Sequence, residues 1–163
     1  MAFKRFVYIS GALTSTTEEE LAVLRSFYER LGEVCAESGL GAYIPHQVSD
    51  PLRAKSLTPR DVDRLDREAV TACCLVIAYV GRVSFGVGIE IEMAYHANKP
   101  VVLLCERETI DARRLSRLVR GNPAVAREIV FGHHASAIEQ LRVFLADFCD
   151  AHRSAHVPAL LRV

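Results

Sequence analysis

An α/β fold, with a doubly wound, mostly parallel five-stranded sheet and helices on both faces, is predicted by three observations. Short apolar runs alternate with segments of helical periodicity along the chain. The run Cys73 to Gly81 carries no charge, as a strand buried on both faces requires. It leads through Arg82-Val83-Ser84-Phe85 into Gly86-Val87-Gly88-Ile89-Glu90, where the strand pattern gives way to a helical one.

The elements follow in order. Phe6 to Ser10 is a short apolar strand that ends at Gly11. Thr17 with Glu20 fits a capping box. Leu21, Leu24, Tyr28, Leu31 and Cys35 then form an apolar stripe at helical spacing, and Gly39 and Gly41 stop the helix. Ala42 to Pro45 reads as a second strand, and the polar segment from His46 to Leu57 as a loop near the site. Thr58-Pro59 starts a helix that runs to about Ala72, with Val62, Leu65, Ala69 and Val70 inward. Asp66 lies within that stripe, where burying a charge is costly unless it is compensated. At the edge of the stripe it would instead reach solvent or a cap.

Cys73 to Val80, Gly86 to Ala97 and Val101 to Cys105 make a strand–helix–strand unit. A basic helix is predicted around Asp111 to Arg120, then a last strand from Glu128 to Phe131. A closing helix runs from Ala135 to about His152, with Ile138, Leu141, Leu145 and Phe148 inward. Residues 1–152 thus read as one domain, of the Rossmann or flavodoxin type. Residues 153–163 read as a C-terminal tail, apolar over most of its length, that docks on the body or on a partner.

Composition narrows the class. The chain has 163 residues, 50% hydrophobic and 25% charged, enough for one globular core. Its formal net charge of zero argues against a dedicated DNA or RNA binder. Lys4 and Arg5 lead into a short strand, so the start does not read as a signal peptide. No apolar stretch reaches the length of a membrane span. The five cysteines show no zinc spacing and read as buried and reduced, as in a cytoplasmic protein. No metal or redox cofactor is expected.

Open sheets of this kind bind ligands outside the carboxyl ends of the strands, where the strand order reverses. If the first and third strands are neighbours, the crevice collects Tyr8, Ser10, Gly11, Ser84, Gly86, Gly88 and Glu90. Asp66 enters from the helix before the third strand. Glu90 reads as a residue of the first helical turn, where the peptide dipole favours an ionised carboxylate. Such a carboxylate is a candidate nucleophile, although acidic residues at helix starts also simply complement the dipole. A second carboxylate nearby suits glycosyl chemistry, in which one attacks the anomeric carbon and the other assists the leaving group. Backbone N–H groups around Ser84 to Gly88 suit an anion such as a phosphate. Ser84 also reads as an ordinary loop serine. The glycine pair lacks the third glycine of a dinucleotide fingerprint and does not follow the first strand. Arg113, Arg114, Arg117 and Arg120 read either as a solvated helix face or as guides for an anionic substrate. Glu92 should point away from Glu90. His133 and His134 receive no role.

The segment Cys73 to Ala94, with its Ser84-Phe85-Gly86-Val87-Gly88-Ile89-Glu90 core, resembles the nucleoside 2-deoxyribosyltransferase superfamily. Within it, the resemblance is closest to the 2'-deoxynucleoside 5'-monophosphate N-glycosidases. Tyr8-Ile9-Ser10-Gly11 resembles the family's first strand and glycine turn, and Asp66 stands at the right distance ahead of Glu90. Leu115 to Gly121 resembles a segment that brings a serine to the phosphate from the neighbouring subunit.

The resemblance implies a homodimeric N-glycosidase acting on a small nucleotide, with no nucleic-acid polymer or membrane as partner. Glu90 would form a glycosyl-enzyme, Asp66 would protonate or steer the leaving base, and Tyr8 would hold Glu90 or the sugar. Ser10, Gly11, Ser84, Gly86, Gly88 and Ser116 would bind substrate or phosphate. A 2-deoxyribosyltransferase and a non-catalytic nucleotide sensor are the rival readings. Three places depart from the family's pattern. Leu13-Thr14-Ser15-Thr16 replaces a loop that often carries Arg, Cys74 replaces an acidic residue, and Tyr79 stands where the hydrolases carry Glu.

Overall fold

A computed structural model describes residues 5–14, 17–50 and 54–154. Strands β1 (Phe6–Ser10), β2 (Gly41–Tyr43), β3 (Leu75–Tyr79), β4 (Val101–Glu106) and β5 (Val125–Phe131) form one sheet in the order β2-β1-β3-β4-β5. Every pairing is parallel. The order reverses between β1 and β3, so the crevice expected for a doubly wound sheet opens beside these two strands.

The helices are α1 (Glu18–Glu37), α2 (Pro45–Val48), α3 (Pro59–Ala72), α4 (Phe85–His96), α5 (Arg107–Asp111), α6 (Arg117–Arg120) and α7 (His134–Ser154). Two apolar clusters divide them between the faces of the sheet. One joins Leu24, Phe27 and Leu31 of α1 to Leu141 and Leu145 of α7 and to Val7 and Ile9 of β1. The other joins Val70 of α3 and Val87 and Ile91 of α4 to Tyr8 of β1. The alternation of β1 therefore turns Tyr8 toward α3 and α4, and its neighbours toward α1 and α7. All five residues of β3 are buried, which accounts for the uncharged run in the sequence.

The caps behave as their residues dictate. Thr17 accepts a hydrogen bond from the Glu20 N–H at 3.2 Å. Thr58 and Asp61 satisfy each other's backbone N–H groups at 3.2 and 3.0 Å. Gly39 takes a φ of +77°, the left-handed conformation in which α1 stops. The five cysteines are free, with Cys74 the least buried. No helix among the described residues is long and apolar enough to cross a membrane.

Several boundaries differ from the sequence reading. The expected loop after β2 begins with a short helix, α2, which buries His46 against Glu29 at 3.0 Å. The second strand ends at Tyr43, earlier than expected. The last strand begins at Val125, earlier than expected, beside a register shift at Val101 and Val102. The predicted basic helix from Asp111 to Arg120 is not one helix: α5 ends at Asp111, and within the range only Arg117–Arg120 is helical, as α6. Arg113 takes a φ of 54° just beyond the end of α5, and Ser116 caps α6 by accepting from the Val119 N–H. Ser15 and Thr16, and residues 155–163 of the expected tail, lie outside the described residues.

Candidate active site

Glu90 is the centre of the crevice. The Tyr8 hydroxyl donates to Glu90 Oε1 at 2.8 Å, and the Ser10 hydroxyl donates to Glu90 Oε2. Two hydroxyls from β1 thus grip both oxygens of one carboxylate on α4. The structure places that carboxylate in the second turn of α4 rather than the first, because the helix starts at Phe85 with Ser84 as its cap. Gly86 and Gly88 are therefore helical residues and do not form a turn before the helix.

This position changes the electrostatics. The dipole effect fades beyond the first turn, and burial decides instead. Burial pushes the Glu90 carboxyl up to about 7. The Ser10 and Tyr8 hydroxyls pull it down, and the charge on Asp66 pushes it up again. Burial thus opposes the ionised form that a place in the first helical turn would have favoured. The Tyr8 hydroxyl is held far above its ordinary range by burial and by the negative charges of Glu90 and Asp66. It remains a donor throughout the physiological range.

Asp66 is not at a solvated edge of α3. It is 9% exposed, and its Oδ1 is buried with no hydrogen-bond partner among the described residues. Burial raises its pKa, against the pull of the nearby Tyr8 and Tyr43 hydroxyls. Tyr43 is a residue that sequence reasoning missed. Its ring stacks on Tyr8 with centroids 5.3 Å apart and planes 15° apart. Only the β1–β2 register, which pairs Tyr8 with Tyr43, reveals this contact.

The remaining candidates divide between two places. Ser84, Gly88 and Ser116 line a cavity of about 960 Å³ beside the start of α4, together with Arg82, Arg113 and Arg117. Tyr8, Asp66 and Glu90 are not part of its wall. The carboxylate pair and the hydroxyl- and arginine-lined cavity therefore adjoin across the first turns of α4. A side chain at Gly88 would meet nothing within 4 Å, so that face is open to a ligand. At Gly86 the nearest atom would be Ser84 Oγ at 3.7 Å. Gly11 has a different reason to be glycine. A Cβ there would lie 2.2 Å from Cζ of Tyr28, whose hydroxyl donates to the Ala12 carbonyl at 3.2 Å.

A second missed network edges the cavity. The Tyr79 hydroxyl donates to Glu106 Oε1 at 2.5 Å. Arg82 donates to Glu20 at 2.5 Å, to Glu106 at 3.3 Å and to the Gly81 carbonyl at 2.8 Å. Glu106 of β4 thus brings a carboxylate beside Tyr79 of β3. Glu92 points away from Glu90, as expected, and accepts from the Asn122 side chain at 2.8 Å. His134 stacks on Phe27, with centroids 3.9 Å apart, on the face opposite α4.

Solved structures with this fold include three informative cases. A CMP N-glycosidase, BcmB, from Clostridium botulinum has 21% identity and a TM-score of 0.64 over 86% of this chain and 99% of its own. The solution structure of BlsM has 23% identity and a TM-score of 0.65 over 98% and 99%. A 2-desoxiribosyltransferase from Leishmania mexicana has 12% identity and a TM-score of 0.54 over 85% and 97%. No family model matches the chain, and no curated protein matches it. At these identities the likeness establishes the shared fold.

Proposed function

We propose that the protein is an N-glycosidase that hydrolyses a (2'-deoxy)nucleoside 5'-monophosphate to the free base and (deoxy)ribose 5-phosphate. The observation that carries this reading is Glu90, gripped by Tyr8 and Ser10 with the second carboxylate of Asp66 in electrostatic range. Ionised Glu90 bonds to C1' as the C1'–N bond breaks, and Asp66 gives its proton to the departing base. Asp66 then takes a proton from water while the water oxygen bonds to C1' and Glu90 leaves. Tyr8 and Ser10 donate to the Glu90 carboxylate in the free enzyme, so they also favour its release. Ser84, Ser116 and the open face of Gly88 would seat the phosphate, with Arg113 and Arg117 drawing it in. The activity named for BcmB, on the same fold, supports the reading.

The test is incubation with a panel of nucleosides and their 5'-monophosphates, with products separated by chromatography. Free base and a sugar phosphate are expected from a monophosphate. A new nucleoside formed on an added acceptor base would identify a transferase, and recovery of every bound nucleotide uncleaved would identify a sensor. The pH profile provides a further check. Glu90 must lose its proton to attack, so kcat/KM should rise as pH passes upward through about 7. A flat profile from about pH 5 to 8 would remove Glu90 as the nucleophile.

We further propose a homodimer whose subunits complete each other's phosphate sites through Ser116. Support comes from the resemblance of Leu115 to Gly121 and from exposed apolar side chains near the cavity. Val83, Phe85 and Leu118 are 83%, 91% and 86% exposed. Within one chain Ser116 also lines the cavity that holds Ser84, so a subunit that serves itself is the competing arrangement. Ser116→Ala should weaken binding of phosphorylated substrates about ten- to a hundredfold and hardly affect the bare nucleoside. Mixing Glu90→Gln subunits with Ser116→Ala subunits then distinguishes the arrangements. Shared sites give a mixed dimer with one intact site, and activity returns. Self-contained sites give no recovery.

A further inference from the structure

Tyr43 is the buried polar group at the site that the mechanism above does not use. It ends β2, and the parallel register sets it directly beside Tyr8 on the same face of the sheet. Its ring lies nearly flat against that of Tyr8. Its hydroxyl is buried with no hydrogen-bond partner among the described residues, and the same is true of Asp66 Oδ1. These two orphaned atoms belong to side chains that sense each other electrostatically. Leaving both unpaired in a buried place costs free energy, which one hydrogen bond between them recovers.

Proton counting points the same way. Tyr8 has one hydroxyl proton, and it is given to Glu90. It cannot also serve Asp66. The other hydroxyl near Asp66 is that of Tyr43. We propose that Tyr43 is a positioning residue for Asp66: its hydroxyl donates to Asp66 Oδ1, orienting that carboxyl and setting how tightly it holds the proton destined for the leaving base. The stack on Tyr8 fixes the Tyr43 ring, so one pair of tyrosines supports both carboxylates, Tyr8 holding Glu90 and Tyr43 holding Asp66. The claim about the leaving base rests on the N-glycosidase reading. The claim about the carboxyl does not.

The groups that face Asp66 are Tyr8 from β1, Tyr43 from β2, Glu90 from α4 and Asp63 on its own helix. Tyr43 favours the charged form of Asp66, so removing its hydroxyl should raise the titration midpoint. The direct measurement is a carbon NMR titration of the Asp66 carboxyl in the unliganded protein. Tyr43→Phe should move the midpoint up by about one pH unit or more. Incorporating 3-fluorotyrosine at position 43 keeps the ring and makes the phenol a stronger donor, and should move the midpoint down. A purely structural role for Tyr43 would not give opposite signs.

In turnover, the limb of the pH profile that Asp66→Asn removes should be the limb that Tyr43→Phe shifts to higher pH. Midpoints that move by less than about 0.3 pH units, or in the same direction in both variants, overturn the proposal; the expected size is that of a hydrogen bond to a charged group. If Tyr43→Phe fails to fold, the fluorotyrosine protein decides. If the protein cleaves no nucleotide, the NMR titration still tests the Tyr43–Asp66 bond, so failure of the functional reading is distinguishable from failure of this one.

Discussion

Glu90→Gln is expected to abolish turnover and to make the protein more heat-stable above neutral pH. The amide keeps the shape and can still accept from one of the two β1 hydroxyls, so the crevice should persist. It is a far poorer nucleophile, and a loss of at least about a thousandfold, about 4 kcal/mol of transition-state stabilisation, is expected. The stability gain follows from linkage. Glu90 is raised in the folded state from an ordinary 4.5 to about 7. Its folded form therefore holds a proton that the unfolded chain gives up, and stability falls as pH rises from about 4.5 through about 7. Above that window the wild type carries a penalised charge that Gln does not have. The difference should be about 1–3 kcal/mol after discounting for partial exposure. Thermal unfolding of both proteins at pH 5 and pH 8 tests this, with the gap much wider at pH 8 than at pH 5. Activity within about threefold of wild type, below about 1 kcal/mol, would sink the nucleophile assignment.

Asp66→Asn is expected to slow cleavage by about a hundredfold to ten-thousandfold and to erase one limb of the pH profile. Asp66 has the required environment: burial raises its pKa, and it lies within the field of Glu90. An amide cannot deliver a proton to the leaving nitrogen. The loss should also depend on the base. A nucleotide whose base departs readily without protonation should be affected least, which separates lost acid catalysis from a damaged crevice. A uniform loss across bases together with an unchanged pH–rate profile would reduce Asp66 to a structural role.

Much of the architecture was legible because it rests on local signals. Apolar runs marked β1, β3 and β4. Thr58-Pro59 marked the start of α3. Tyr8 in the first strand, Asp66 within an apolar stripe and Glu90 near a helix start were each legible as candidates, and the structure brings the three together. The strand order was not legible, because it depends on which crossover packs on which face. Tyr43 escaped for the same reason: a tyrosine in a three-residue strand means little until its register with Tyr8 is known. The break between α5 and α6 escaped because it falls on Arg113. Glycine or asparagine would have signalled a left-handed residue, as Asn98 does after α4 with a φ of 53°, whereas arginine does not. Glu90 is legible in the sequence as a carboxylate near a helix start, whereas its burial is not, because one turn of helix separates the dipole argument from the burial argument.

The strand that carries Tyr8 and Ser10 precedes the other four strands of the sheet in the chain, yet it lies inside the sheet, between β2 and β3. Tyr8 meets Glu90 across 82 positions of sequence, and Ser10 meets it across 80. Each of these contacts closes a long loop, and neither forms until β3 has docked and α4 has been laid over it. On a ribosome, β1 must therefore wait, paired at most with β2, while much of the chain emerges. The crevice has no early, partly built version. In refolding, ligand binding should return together with the last cooperative phase, after the helical signal has largely recovered.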